Sequence, residues 1–211
     1  MERQRHTAAE EALIRANALL EWLPGILDRL FHDETAQKML TEKLAQVHPG
    51  IRWEVGPFQE GKSFFAFSPN LDVKLLPVTE ALARSAPEVP GWVFLPAKPR
   101  KMWTSRSIEI TEGKGEVVRY NFDRWLYYLT SFKDGEFFDV NLVPCGYEDR
   151  PRDDLQYAGS LFVEFELGER IFIEFVDRIN IVLPSELSEF GNKVEHLHDQ
   201  LLQQLEENVR H

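Results

Sequence analysis

The sequence predicts an α+β fold: a mostly antiparallel sheet with helices packed on one face, and helical N- and C-terminal segments. Three observations carry this. Leucines recur at helical spacing through the first fifty residues and again after Ser185. At Ile51 the apolar period switches to two. Asp134-Gly135 lies between two alternating segments, a strong short-range hairpin signal. The expected organisation is a helical segment over 1–50, an α+β core over 51–183 and a C-terminal helix over 184–211 packed on that core.

Leu13, Ala16, Leu19, Leu20 and Leu23 mark the first helix, and Pro24-Gly25 interrupts it before Ile26–Phe31 resumes the pattern. Asp33 is placed to cap the next helix, with Met39, Leu40, Leu44 and Val47 along one face. His48-Pro49-Gly50 stops that helix, because proline cannot continue it and glycine supplies the turn. Ile51, Trp53 and Val55 then alternate with Arg52 and Glu54, the pattern of a half-buried strand. Ser63–Phe67 is its expected antiparallel partner, and a short strand is expected near Asp72–Leu75. Pro77 suits a first helical turn, with Val78, Ala81, Leu82 and Ala86 turned to the sheet. A Pro/Gly corner leads into a strand at Trp92–Pro96.

A two-residue type I′ turn at Asp134-Gly135 sets a register. Leu129 faces Val140 and Tyr127 faces Leu142 on an apolar face, while Thr130 faces Asp139 and Tyr128 faces Asn141 on a mixed one. Leu155, Ala158, Leu161, Phe162 and Phe165 describe a helix over Asp153–Leu167 that Gly168 ends. A long strand is expected over Arg170–Leu183, with Ile171, Ile173, Phe175, Ile179, Ile181 and Leu183 on one face. Ser185 opens the last helix, lined by Leu187, Phe190, Val194, Leu197, Leu201 and Leu205.

The chain has 211 residues, 43% of them hydrophobic, which is enough for a proper core and argues against global disorder. A net charge of −11 disfavours nonspecific binding to nucleic acid and docking on anionic membrane, and favours a basic protein partner. No apolar run approaches the roughly 18 residues of a membrane span. The start lacks the apolar core of a secretion signal, and Cys145 is the single cysteine, so a cytoplasmic location is expected. Oligomeric state is left open, since the last helix suits packing on the domain or on another copy equally well.

Few residues point to chemistry. His196 and His198 are two apart on an expected helix, about 200° apart in direction, and cannot share an ion. His6 and Glu10 have ligand spacing but no third partner, so no metal is expected. No nucleotide-binding glycine loop is present and no cofactor is expected. Asp149, Asp153 and Asp154 cluster with Arg150 and Arg152, and Asp153 or Asp154 is expected to cap the following helix. Glu164, Glu166 and Glu169 flank Gly168 and are expected on a solvated face. Asp177 falls on an apolar strand face, where a charge is costly unless a bulge returns it to solvent or a pocket uses it. Phe132 and Phe137 are expected to meet at the hairpin tip, where exposed aromatics can anchor a partner unless the N-terminal helices cover them. Cys145 reads as a small turn residue, having no histidine nearby in sequence.

The segment from about 48 to 183 resembles an uncharacterised bacterial domain family. The resemblance rests on a strand ending in Gly56-Pro57, further strands within Ser63–Leu75, and a helix over Pro77–Ala86. A corner reading Ala86-Pro87-Glu88-Val89-Pro90-Gly91-Trp92 leads into Val93–Pro99, and Leu167-Gly168-Glu169 follows later. The resemblance implies a fold and brings no activity and no catalytic residues. Such domains look like bacterial proteins found near toxin–immunity systems. From the acidic charge and the lack of catalytic motifs, the leading expectation is a non-enzymatic interaction protein, of the kind that acts as an immunity-type inhibitor of a basic partner. The alternatives are a small-molecule or peptide-binding domain, and a hydrolase using the acidic residues around Asp149–Asp154 or Glu164–Glu169.

Overall fold

The computed structural model describes residues 8–111, 115–133, 135–186 and 191–209, with the side chains of 8–13, 208 and 209 left aside. The fold is α+β, with helices at both ends of the chain. It forms three separate sheets, and four of their six strand pairs are antiparallel. The chain divides into two compact units, Met1–Pro99 and Arg100–His211. That boundary lies inside the 51–183 stretch expected as one core. The first three strands are lined by apolar side chains of the N-terminal helices, whereas the later strands close on the C-terminal ones, so two cores form.

In the first unit, α1 (Ala8–Trp22) leads into two 3-10 turns, Leu23–Gly25 and Leu27–Phe31. Pro24 breaks the regular helix, and Leu23, Leu27 and Leu30 carry its buried stripe onward. Asp33 caps α2 (Glu34–Val47), its carboxylate accepting the backbone N–H groups of Thr35 (2.9 Å) and Ala36 (3.1 Å). Ala36, Leu40 and Leu44 are buried, while Met39, expected on the same face, is exposed. The strand β1 (Arg52–Pro57) runs antiparallel to β2 (Ser63–Ser68), with Trp53 opposite Phe67 and Val55 opposite Phe65.

Residues 72–75 form a turn and not a strand, because Asp72 Oδ1 accepts the Lys74 N–H (2.9 Å) and its carbonyl accepts that of Leu75 (2.9 Å). Pro77 sits in the first turn of α3 (Leu76–Ser85). Leu76, Thr79 and Leu82 are its buried positions, while Val78 and Ala81 face outward. The inward stripe starts at Leu75-Leu76, which rotates it from the expected face. After the corner, where Gly91 takes φ +81°, β3 (Trp92–Leu95) pairs parallel to β2. The segment β2–α3–β3 is thus a parallel crossover.

In the second unit, β4 (Ser107–Thr111) and β5 (Val117–Asn121) form an antiparallel hairpin with Ile108, Ile110, Val118 and Tyr120 inward. Next, β6 (Leu126–Phe132) and β7 (Phe137–Val143) pair as expected: Leu129 with Val140, Tyr127 with Leu142, Thr130 with Asp139 and Tyr128 with Asn141. The ladder ends at Phe132–Phe137, so four residues connect the strands, and not two. Gly135 there takes φ +87° and donates its N–H to the Phe132 carbonyl (3.1 Å). Asp134 lies outside the described residues.

Then α4 (Arg152–Leu167) packs Leu155, Ala158, Phe162 and Val163 into the core that holds Tyr127, Val140 and Leu142. Gly159 permits this approach, since a Cβ there would stand 2.8 Å from Leu142 Cδ1 and 3.2 Å from Ile181 Cδ1. The expected strand over Arg170–Leu183 is half helix: α5 (Glu169–Phe175) precedes β8 (Val176–Ile181). Ile171, Phe172, Phe175 and Val176 satisfy helical spacing while Ile171, Ile173 and Phe175 satisfy alternation, and Gly168 restarts the helix, its carbonyl accepting the Phe172 N–H.

The sheet order is β8-β7-β6-β9, with β8 parallel to β7 and β9 (Asn192–Lys193) on the other edge. The last helix, α6 (Leu197–Val209), starts twelve residues later than expected, because β9 and a 3-10 turn at Val194–His196 come first. Leu187 and Phe190 lie outside the described residues, and Val194, Leu197 and Leu201 are buried in the core. No described helix is long and apolar enough to cross a membrane.

Candidate functional site

The densest group of ionisable side chains surrounds the α4–α5 junction. Gly168, at φ +81° and ψ +150°, holds a conformation essentially restricted to glycine. The sharp redirection there brings Glu164, Glu166 and Glu169 inside, with 7%, 0% and 0% of their surfaces exposed. The expected solvated face is therefore corrected. A buried carboxylate needs partners, and for Glu166 these come from far along the chain. Arg100 forms a charge-assisted bond to Oε1, and Arg106 donates Nε–H to Oε2 (3.3 Å). Arg100 also reaches Asp199 on α6 (3.9 Å), so one guanidinium links two helices.

This arrangement neutralises Glu166 and occupies both its oxygens, which leaves it poorly suited to move protons to a substrate. Neither surface depression described here touches the three glutamates. One, of about 430 Å³, is lined by Glu80, Ala83, Arg84, Phe94 and Pro96. The other, of about 470 Å³, is lined by Gly146, Tyr147, Asp149, Arg150 and Pro151.

Of its acidic trio, Asp149 lines the second of these depressions. Asp153 and Asp154 lie within the first turn of α4, whose cap is Pro151 without a side-chain bond. The capping expectation is corrected: they face the positive end of the helix as charges and not as caps.

Asp177 is returned to solvent. Phe138 pairs with Val176 and Asp139 with Arg178, so a bulge leaves Asp177 out of the ladder, and its carboxylate meets Arg178 Nε at 3.4 Å. No pocket uses Asp177 among the depressions described.

Phe132 and Phe137 do meet, stacked at 6.3 Å with rings 19° apart, and the Lys133 ammonium lies 4.6 Å over Phe137. Both are half-buried and not freely exposed. By register they share the mixed sheet face with Tyr128, Thr130, Asp139 and Asn141. On that face Asn141 donates to Thr130 Oγ1 (3.1 Å) and accepts from Asn180 Nδ2 (3.0 Å). Asp139 keeps one buried carboxylate oxygen without a hydrogen-bond partner among the described residues.

Burial pushes the Cys145 thiol up, with the charge of Glu148 adding to the effect, so the thiolate is disfavoured. His198 Nδ1 faces Asp199 Oδ1 at 3.0 Å, holding that carboxyl below its usual range, while His196 faces Glu195 at 3.6 Å. Among the described residues no three metal-ligating side chains converge. His6 and the Glu10 side chain lie outside them.

Sequence reasoning did not place the groove between α3 and β3. A signal for it exists: Phe64–Phe67 and Trp92–Leu95 are continuous apolar runs, the mark of strands in parallel pairing. Comparison of the chain with protein-family profiles, with curated proteins and with solved structures returns no match.

Proposed function

We propose that this chain is a non-enzymatic protein-interaction protein whose acidic second unit meets a basic protein partner, in the manner of an immunity-type inhibitor. One observation carries the reading. Residues 100–211 hold 22 of the 35 acidic side chains and 13 of the 24 basic ones, so most of the net charge of −11 belongs to that unit. Such a field raises the encounter rate with a basic surface and fades with salt. The hydrolase alternative loses support at Glu164–Glu169, because Glu166 is consumed in an ion-pair network with Arg100 and Arg106.

Affinity capture from the source organism, repeated over a salt series, tests the reading. The expected result is one stoichiometric basic protein whose association slows as ionic strength rises past about 0.1 M, where the Debye length is near 10 Å. Recovery of no such protein, or of one indifferent to salt, overturns it.

A further inference from the structure

We propose that the outer edge of β3, with the groove beside it, receives an extended peptide segment of a partner by strand addition. Strand β3 is the last strand of its sheet, and among the described residues none pairs with its far side. Its ladder to β2 is parallel, with Ser63 opposite Trp92 and Ser63 N–H bonded to the Gly91 carbonyl (2.8 Å). In a parallel pair the N–H and C=O of one residue point the same way and alternate along the strand. Gly91, Val93 and Leu95 therefore turn to β2, while the Phe94 N–H, the Phe94 C=O and the Trp92 C=O turn to the open side. The Trp92 N–H is already used by the Val89 carbonyl (3.0 Å). Three unused ladder groups at strand spacing match a backbone and little else, which commits the occupant to an extended chain.

Strands β1, β8 and β9 have defended edges, β4 and β5 carry Glu109 and Arg119 on theirs, and β3 has no such device. Strand β1 carries Arg52, Glu54 and Pro57. On β8 the outward carbonyls of Ile179 and Ile181 accept hydrogen bonds from Gln156 Nε2 (2.7 Å) and the Arg152 guanidinium, and a bulge twists its start. Strand β9 has two residues. Strand β3 reads Trp-Val-Phe-Leu, with neither charge nor bulge. Beside it the groove of about 430 Å³ offers Phe94, Ala83 and Pro96 as an apolar floor, with Glu80 and Arg84 also lining it. The floor fits a small apolar side chain at an alternate position of the incoming strand. This surface lies in the first unit and does not depend on the charge of the second.

Panning the full-length protein against a phage-displayed library of short random peptides supplies the probe. Enriched peptides are expected to slow exchange of the Phe94 amide. N-methylation at alternate peptide positions should weaken binding about tenfold, the loss of roughly one hydrogen bond, while methylation at the intervening positions leaves binding unchanged. Ala83→Arg fills the groove and should weaken the same peptides at least about tenfold, without altering salt-dependent capture of a basic protein by the second unit. Should that variant fail to fold, the amide-exchange and N-methyl arms decide alone. No enriched peptide, peptides that leave Phe94 exchange unchanged, or an N-methyl scan without alternation overturns the proposal.

Discussion

Glu166 shows what a single buried charge demands. Its side chain is fully enclosed, while its partners Arg100 and Arg106 keep 33% and 23% of theirs in solvent. Removing one member of a fully buried pair costs about 3–5 kcal/mol. Because these guanidiniums retain some water, Glu166→Gln is expected to cost somewhat less, about 2–3 kcal/mol. Urea unfolding followed by tryptophan fluorescence measures it, and a loss within error of zero would mean that the pair contributes nothing net. Asp33 is the opposite case, a charge near water. The hydrogen bond from Arg29, followed by the Ala36 N–H, holds its carboxyl below the ordinary 3.8. A depressed folded-state value means the contribution is present above the unfolded-state value and lost as pH falls through the folded one. Asp33→Asn should therefore melt at a lower temperature at neutral pH and lose less than the parent on acidification below about pH 4. Parallel melting curves against pH for the two proteins would contradict this.

At the scale of elements, edge protection decides which strands stay single. Strand β8 faces outward at Ile179 and Ile181, and α4 turns Gln156 and Arg152 onto those carbonyls. The helix therefore guards the edge of the sheet it covers. The double change Gln156→Ala with Arg152→Ala is expected to leave helix content unchanged and to raise self-association, read as increased light scattering in concentrated solution. A double variant as monodisperse as the parent would place the protection in the bulge at Asp177. That bulge was legible in advance, because an acidic residue inside an apolar series must leave the sheet or be paired. The β6–β7 register was legible too, since alternation and the Asp134-Gly135 signal act within a few residues of each other. The α5 segment was not, because Arg170–Phe175 fits both periods and the choice is made by Gly168 and the surrounding core. The glutamate cluster was equally hidden. Glu166 is buried only because arginines 66 and 60 residues upstream reach it, a pairing that no local pattern announces.

At the scale of the molecule, the two cores matter more than the single one the sequence implied. Leu19, Leu23, Leu40, Leu44, Phe65 and Phe67 form one cluster, and Tyr120, Trp125, Val140, Leu142, Phe162 and Leu201 form another. The division falls within Pro96-Ala97-Lys98-Pro99-Arg100, where two prolines limit the backbone and no regular element crosses. Parallel pairing of β2 and β3 explains why the break was invisible. That pairing needs the α3 crossover between the two strands, so β3 belongs with residues that precede it and not with the antiparallel strands that follow. Each unit holds roughly a hundred residues, a size at which a chain can bury enough apolar surface to fold alone. Residues 1–99 and 100–211, produced separately, should each unfold in a cooperative transition. The second should carry the acidic behaviour on ion exchange, and the first the groove between α3 and β3. Calorimetry of each fragment checks this. A fragment that stays unfolded while the full chain folds would show that the two clusters are stable only together.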